Sequence, residues 1–268
     1  MSLRIGIAGL TGRMGTLLAE AVPAAGASLV GGTARPDLGP PHSARPDSAQ
    51  GTPAGVPLSP TLAALAPSCD VVIDFSHAAA AAEHAATLAA SGTAWVLGTS
   101  GLSPTDEVAV AVAARRIPVV YAANFSPGVN LVLALAERMG AALPGNVYDA
   151  EIVEMHHRQK VDAPSGTAIG IGRAVAKGRG VALEAVTESG RHGHTGPRAP
   201  GAIGFAALRG GQIVGEHTLI FTSAAEQIAL SHRAFDRRSF AAGAVRAALW
   251  LAGRPAGLYG MGDVLGMG

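Results

Sequence analysis

Among 268 residues there is a single cysteine, Cys69. One thiol forms no intramolecular disulfide and no thiolate cluster for structural zinc, so the chain reads as one built for a reducing compartment. Charge is also scarce: 15% of residues are charged, and 20 Lys+Arg against 19 Asp+Glu leave a formal net charge of +1. That balance gives no electrostatic case for a nucleic acid partner or an anionic membrane surface. Long apolar runs are missing. Nothing approaches the roughly 20 residues of a membrane helix, the Ala-rich run 78–90 is interrupted by Glu83 and His84, and the few apolar residues after Arg4 are too short for a secretory signal. The expectation is a soluble, cytoplasmic protein. Aromatic residues are few at 4%, whereas hydrophobic residues reach 49% and glycines number 36. Such a chain is neither disordered nor a coiled coil, and it is long enough for one large domain or two modest ones.

Short β-branched runs alternate with Ala/Leu-rich stretches through the first half. Strands are predicted at Ile5–Ala8, Leu29–Thr33, Val71–Phe75, Trp95–Gly98 and Val119–Ala122. Helices are predicted at Arg13–Ala24, Ala78–Ser91 and Pro104–Arg116. This alternation predicts an α/β fold, a doubly wound parallel sheet covered on both faces. The segment Pro36–Pro60, loaded with Pro, Gly, Ser and Asp, reads as a long mobile loop. After Asn124 the pattern changes. Helices at Asn130–Met139 and Thr167–Lys177 flank a strand near Ala150–Met155, and β-compatible runs follow at Ile203–Leu208, Ile213–Ile220 and Gln227–His232. They predict a second α+β domain over residues 128–236, with the last helix, Ser239–Leu251, returning to the first domain (1–127 with 237–268).

Gly9-Leu10-Thr11-Gly12-Arg13-Met14-Gly15 follows a strand and opens a helix. Glycine lets a backbone approach a pyrophosphate, and a helix N-terminus offers free N–H groups and the positive end of a dipole. Three glycines alone mark only a tight turn; the strand before and helix after favour a dinucleotide. After the second strand comes Gly32-Thr33-Ala34-Arg35, with no acid for ribose hydroxyls but an Arg able to pair with a 2′-phosphate. NADPH is therefore expected to serve at least as well as NADH, although a solvated loop Arg remains an alternative. Two further turns, Gly98-Thr99-Ser100 and Ala122-Ala123-Asn124-Phe125, lie at carboxyl ends of predicted strands, where open sheets bind ligands. As isolated strings they also suit ordinary turns.

The densest polar string is Glu154-Met155-His156-His157-Arg158-Gln159-Lys160, continuing to Ser165-Gly166-Thr167-Ala168. So many basic groups repel one another unless something anionic comes between them. His156 and Lys160 are four residues apart, a spacing that puts them on one side of a helix or a strand. An imidazole titrates near neutrality and can donate a proton, and a lysine adds positive charge where negative charge develops. Ser165, Gly166 and Thr167 open a helix whose N–H groups can clasp a carboxylate. A basic surface loop followed by a helix cap fits the same string. A metal site is disfavoured, since adjacent histidines on a strand point to opposite faces and no carboxylate or thiolate completes a recognisable spacing.

The string EMHHRQKVDAPSGTA resembles the E-x-H-H-x-x-K-x-D-A-P-S-G-T-A signature of the dihydrodipicolinate reductase family. GLTGRMG, DVVIDFS, GTSGL and AANFSPGVN before it, and GHTGPRAPGAIGF, GGQIVGEHT and ALWLAGRPAGLYGMGDVL after it, extend the resemblance in collinear order over nearly the whole chain. Only the Pro36–Pro60 segment matches poorly. The resemblance implies a Rossmann-like domain binding NADH or NADPH, and an α+β domain that binds a small cyclic dicarboxylate and builds a homotetramer. The implied reaction reduces 4-hydroxy-tetrahydrodipicolinate to tetrahydrodipicolinate on the route to diaminopimelate and lysine. It implies His156 as proton donor/acceptor, Lys160 as second proton donor, and His157, Ser165, Gly166 and Thr167 as substrate contacts. Cofactor contacts are implied at Gly9–Met14, Gly98–Ser100 and Ala122–Phe125. Many family members carry an acid before the Arg that matches Arg35, whereas this chain has Ala34. A nucleotide-binding sensor without chemistry and a dehydrogenase of another substrate are the rival readings.

Overall fold

The computed structural model describes residues 2–34 and 55–267. Arg35 and most of the Pro36–Pro60 segment lie outside the described residues. In chain order the strands are β1 (Arg4–Ala8), β2 (Ser28–Thr33), β3 (Leu58–Ser59), β4 (Val71–Asp74), β5 (Ala94–Leu97), β6 (Pro118–Tyr121), β7 (Asp149–His156), β8 (Thr187–Ser189), β9 (Ile203–Arg209), β10 (Gly215–Thr222), β11 (Gln227–Ala234) and β12 (Gly257–Tyr259). The helices are α1 (Arg13–Ala24), α2 (Leu62–Leu65), α3 (Ala81–Ser91), α4 (Pro104–Ala114), α5 (Pro127–Ala142), α6 (Gly166–Gly178), α7 (Leu183–Val186), α8 (Arg238–Leu251) and α9 (Met261–Leu265). They divide between two compact units, Met1–Pro127 with Arg237–Gly268, and Gly128–Asp236.

The first unit is a parallel sheet of seven strands in the order β12-β6-β5-β4-β1-β2-β3. The expected doubly wound α/β architecture is what forms. Strand residues alternate between two cores, as a period of two requires. Ile5, Ile7, Val71, Ile73, Val96 and Val120 meet Leu18 and Val22 of α1, Ala244, Val245 and Ala248 of α8 and Val264 of α9. Ala8, Val72, Trp95, Leu97 and Val119 meet Leu62 and Leu65 of α2, Leu88 of α3 and Val110 of α4. Each large apolar side chain so buried contributes about 1.5–3 kcal/mol. Strand order reverses between β1 and β4, so a crevice opens at their carboxyl ends.

Leu58 and Ser59, expected within the Pro36–Pro60 loop, instead pair with Gly32 and Thr33 of β2 as a sheet edge. Two residues give too little periodicity to betray a strand among prolines and glycines.

The second unit is a mixed sheet in the order β11-β10-β7-β9-β8. β10 runs antiparallel to β7 and β11, whereas β7 and β8 run parallel to β9. Ala150, Ile152, Ile203, Phe205, Leu219 and Phe221 face Val132 and Ala136 of α5 and Ile171 and Val175 of α6. The other face carries Val153, Met155 and Ile220, half-exposed, and Leu208, exposed. Among the described residues no helix is long and apolar enough to cross a membrane, and no group of three or more His, Cys, Asp or Glu is arranged to hold a metal ion.

Candidate active site

In the first unit the glycine loop closes between β1 and β2. Gly9 and Leu10 donate backbone N–H bonds to Thr33 O at 3.1 and 2.8 Å, and Gly12 donates to Gly9 O at 3.0 Å. Gly9 has φ +86°, the left-handed region. A Cβ on Gly15 would overlap the carbonyl oxygens of Gly9 and Leu10, so only glycine lets α1 start this close to the strand. Gly12 caps α1 without a side-chain hydrogen bond, and no acid lies in the first turn. The leading N–H groups of a 12-residue helix are thus left for an anion.

Beside them lies a cavity of about 430 Å³, lined by Gly12, Arg13, Met14, Phe75, Ser76, His77, Ala78, Gly98, Thr99 and Ser100. Thr99 Oγ1 is buried there without a hydrogen-bond partner. An uncapped helix start, an Arg, and an unmet hydroxyl fit a dinucleotide with phosphates at one end and a polar ring at the other. The cavity therefore gathers two of the three cofactor segments expected from sequence. Leu10 and Phe125 place their side chains in the core, Phe125 against Phe75 with ring centroids 5.6 Å apart, so only their backbones remain for a ligand. Thr11 and Ala123 are exposed, and Gly9, Ala122 and Asn124 do not line this cavity.

Phe75–Ala78, which sequence reasoning assigned no role, follows β4 at the crevice, and its place at a strand's carboxyl end was the available signal. Behind it, buried Asp74 accepts from Ser76 N–H and Oγ–H at 3.0 and 2.6 Å and pairs with His84 Nδ1 at 2.7 Å. Burial works against a charged His84, but the Asp74 carboxylate overcomes it and holds the pKa above the ordinary histidine value.

In the second unit Glu154 and His156, two apart on β7, share the inner face with Arg209 of β9 and His217 of β10. The Glu154 side chain is 1% exposed. It accepts from His156 Nδ1–H at 2.6 Å, from Arg209 Nη1 and Nη2 at 2.9 and 2.8 Å, and from Ser165 N–H at 3.1 Å. Burial disfavours its ionisation, but the bonds from Arg209 and His156 prevail and hold the carboxyl below its usual range. For His156 burial is the largest influence; Lys160 and Arg209 add to it, and the pKa falls below the ordinary value despite Glu154. His217 is pushed down to about 4, by burial and then by His156.

Ser165 caps α6: its Oγ accepts from Ala168 N–H at 3.2 Å and lies 2.9 Å from His217 Nε2. The other ring nitrogen of His217, Nδ1, is buried without a hydrogen-bond partner. The Ser165 hydroxyl is committed internally, whereas Gly166 is exposed and a Cβ there would meet nothing within 4 Å. The 13-residue helix α6 opens with Gly166 and Thr167, directly after this cap.

The four-residue spacing does not set His156 and Lys160 on one helix or strand, contrary to expectation. β7 ends at His156 and the chain turns, Lys160 N–H donating to His157 O at 3.1 Å, so neither a helix nor a strand joins the two. Charge still couples them, as the effect of Lys160 on His156 shows. Lys160 Nζ donates to both Asp162 oxygens at 2.7 and 2.8 Å. The anions that the basic string needs are thus supplied within the chain by Glu154 and Asp162. His157 is half-buried, its Nδ1 enclosed without a hydrogen-bond partner. Glu154, Arg209 and His217 had no role assigned from sequence; Arg209 and His217 lie more than 50 residues after His156, and only strand pairing brings them to it.

Two family models cover this chain end to end. Residues 3–125 match the N-terminus of dihydrodipicolinate reductase and residues 128–265 its C-terminus. The 4-hydroxy-tetrahydrodipicolinate reductase of Granulibacter bethesdensis is 64% identical over 99% of this chain and 98% of its own. That of Acidiphilium cryptum is 63% identical over the same shares. Among solved structures, a dipicolinate-bound dihydrodipicolinate reductase from Paenisporosarcina sp. TG-14 superposes with a TM-score of 0.80 at 25% identity, covering 99% of this chain and all of that one. Matches across both units, with a full-length relative at 64% identity, place the chain in the dihydrodipicolinate reductase family.

Proposed function

We propose the following division of labour for the NAD(P)H-dependent reduction of 4-hydroxy-tetrahydrodipicolinate to tetrahydrodipicolinate, in which one hydride and one proton are added and one water leaves. The first unit holds the dinucleotide: the N–H groups at the start of α1 take the pyrophosphate, and Thr99 offers its hydroxyl to the nicotinamide end. Bound there, the nicotinamide supplies the hydride. Ala34 and Arg35 in place of an acid leave room and charge for a 2′-phosphate, so NADPH serves at least as well as NADH.

The second unit holds the dicarboxylate. One carboxylate sits on the N–H groups of Gly166 and Thr167, at the positive end of α6, with His157 beside it. Lys160 turns from Asp162 to the substrate and stabilises negative charge as it develops. His156 Nε2 gives the ring its proton, because Nδ1 is held by Glu154. A dianionic ligand favours the cationic imidazole and so loads that proton as substrate binds. The half-exposed face of the second sheet, with Val153, Met155, Leu208 and Ile220, is the surface on which four copies assemble. We assign the enzyme to the cytoplasm, where Cys69, free and buried, stays reduced.

The observation that carries this reading is the pairing of His156 and the start of α6 on one buried carboxylate. Purified protein with NADPH and freshly generated substrate should turn over, and pyridine-2,6-dicarboxylate should compete with the substrate. His156→Gln and Lys160→Met should each cost roughly 10²- to 10⁴-fold in kcat with NADPH affinity unchanged. Wild-type turnover in either variant overturns the assignment.

A further inference from the structure

Glu154 has a geometry that charge balance alone does not demand. Each of its oxygens accepts two N–H groups, and the four donors come from three places: His156 on its own strand, Arg209 at the end of β9, and the backbone of Ser165 before α6. Arg209 extends the tie by donating from Nη2 to Asp162 O at 2.6 Å, so the turn carrying Lys160 is fastened to the same group.

We propose that Glu154 is the positioning residue of this reduction, one carboxylate that fixes the His156 imidazole with its proton on Nδ1 and sets the start of the substrate-binding helix at the same time. The inference rests on the assignment of His156 as proton donor. An ionised carboxylate only accepts, so the ring nitrogen facing it must carry hydrogen, and Nε2 is left to gain and give the transferred proton. That nitrogen points where β10 has Gly215: a Cβ there would lie 2.9 Å from Nε2. A side chain at this position would displace the ring.

The charged and titratable groups facing His156 are Glu154 on β7, Lys160 on the following turn, Arg209 from β9 and His217 from β10, whose ring centroid lies 5.1 Å away. Lys160, Arg209 and burial all disfavour the imidazolium. Glu154 is the group that favours it, so its removal should leave the ring neutral at lower pH.

Glu154→Gln tests this in two ways. In the protein without ligands, nitrogen-15 NMR of His156 should show the Nδ1–H tautomer in the wild type and a mixture of both tautomers in the variant. In turnover, kcat should fall by about 10²-fold, as expected for a misplaced reacting group. Activity requires the protonated ring and fades as pH rises through its pKa, so the alkaline limb of the kcat profile should move to lower pH. Glu154→Asp, which keeps the charge but shortens the reach, supplies the same NMR reading if the Gln variant fails to fold. An unaltered tautomer together with an unmoved pH limb overturns the positioning role. Full turnover in His156→Gln instead overturns the assignment beneath it, so the two failures are distinguishable.

Discussion

Helices α1 and α6, one in each unit, start in different ways. At α1 the start is all backbone: the cap is a glycine without a side-chain hydrogen bond, no acid lies in the first turn, and the shape depends on a missing Cβ at Gly15. At α6 the cap is a serine whose hydroxyl is locked between Ala168 and His217, and a buried carboxylate holds the residue in place. The difference suits the tasks proposed for them. Holding phosphates needs only oriented N–H groups and room. Delivering a proton needs a titratable ring, and a buried ring needs partners to fix its tautomer and charge. One site is set by sterics and the other by electrostatics.

The largest contrast should come from placing the same side chain at both helix starts. Gly15→Val drives a branched side chain into two backbone carbonyls, which should cost the first unit upwards of about 1–3 kcal/mol and abolish measurable NADPH binding. Gly166→Val enters open space, so the fold and NADPH binding should persist while pyridine-2,6-dicarboxylate inhibition weakens. Fluorescence titration of NADPH and inhibition kinetics read both; NADPH binding by Gly15→Val as tight as in wild type would remove the steric account of the first site.

Acid and base should separate the units next. His217 is held at about 4, below the ordinary 6.5, so between those values the unfolded chain binds a proton that the folded one refuses. Stability of the second unit should therefore fall as pH drops through that window, by about 3 kcal/mol in full, with His156 shifted in the same direction. His84 is opposite. Its pKa is raised by Asp74, so its contribution to the first unit is complete below 6.5 and is lost as pH rises through the raised value. Thermal unfolding across about pH 4 to 8 should lose most of the acid dependence in His217→Phe, leaving the part due to His156, and the alkaline one in His84→Gln. Retention of both in the variants would break the comparison.

The smallest expected effect concerns cofactor choice. Arg35→Ala removes the charge proposed to pair with the 2′-phosphate; such charge-assisted contacts are worth about 1.5–3 kcal/mol, so the KM for NADPH should rise roughly 10- to 100-fold more than that for NADH. Equal changes for the two cofactors would remove Arg35 from the 2′-phosphate.

The first sheet was readable because buried parallel strands are nearly continuous apolar runs, and turn residues close each one. Ala94–Leu97 and Val71–Asp74 stand within a residue or two of the expected spans. Leu58–Ser59 escaped because two residues carry no period, and Gly257–Tyr259 because three carry little. In the second unit the EMHH string announced itself by composition, but its environment did not. Lys160 has an acid two residues on, and the periodicity that joined it to His156 ended with the strand.

What the sequence determined by itself is local: the strand–glycine–helix start at Gly9–Gly15, the serine cap at Ser165, the helical and extended stretches, and a collinear likeness to one family. Each rests on neighbours in the chain, through propensity, capping and backbone freedom, and needs no distant partner. Tertiary structure alone decided which carboxylate faces His156, that Arg209 closes over it, that His217 meets the Ser165 hydroxyl, and that Phe75–Ala78 joins the crevice beside α1. Those facts depend on which strands pair and in what register, a balance of burial and hydrogen bonding among residues tens of positions apart. Burial then made the charges matter, because a carboxylate or imidazole withdrawn from water takes its ionisation state from its neighbours.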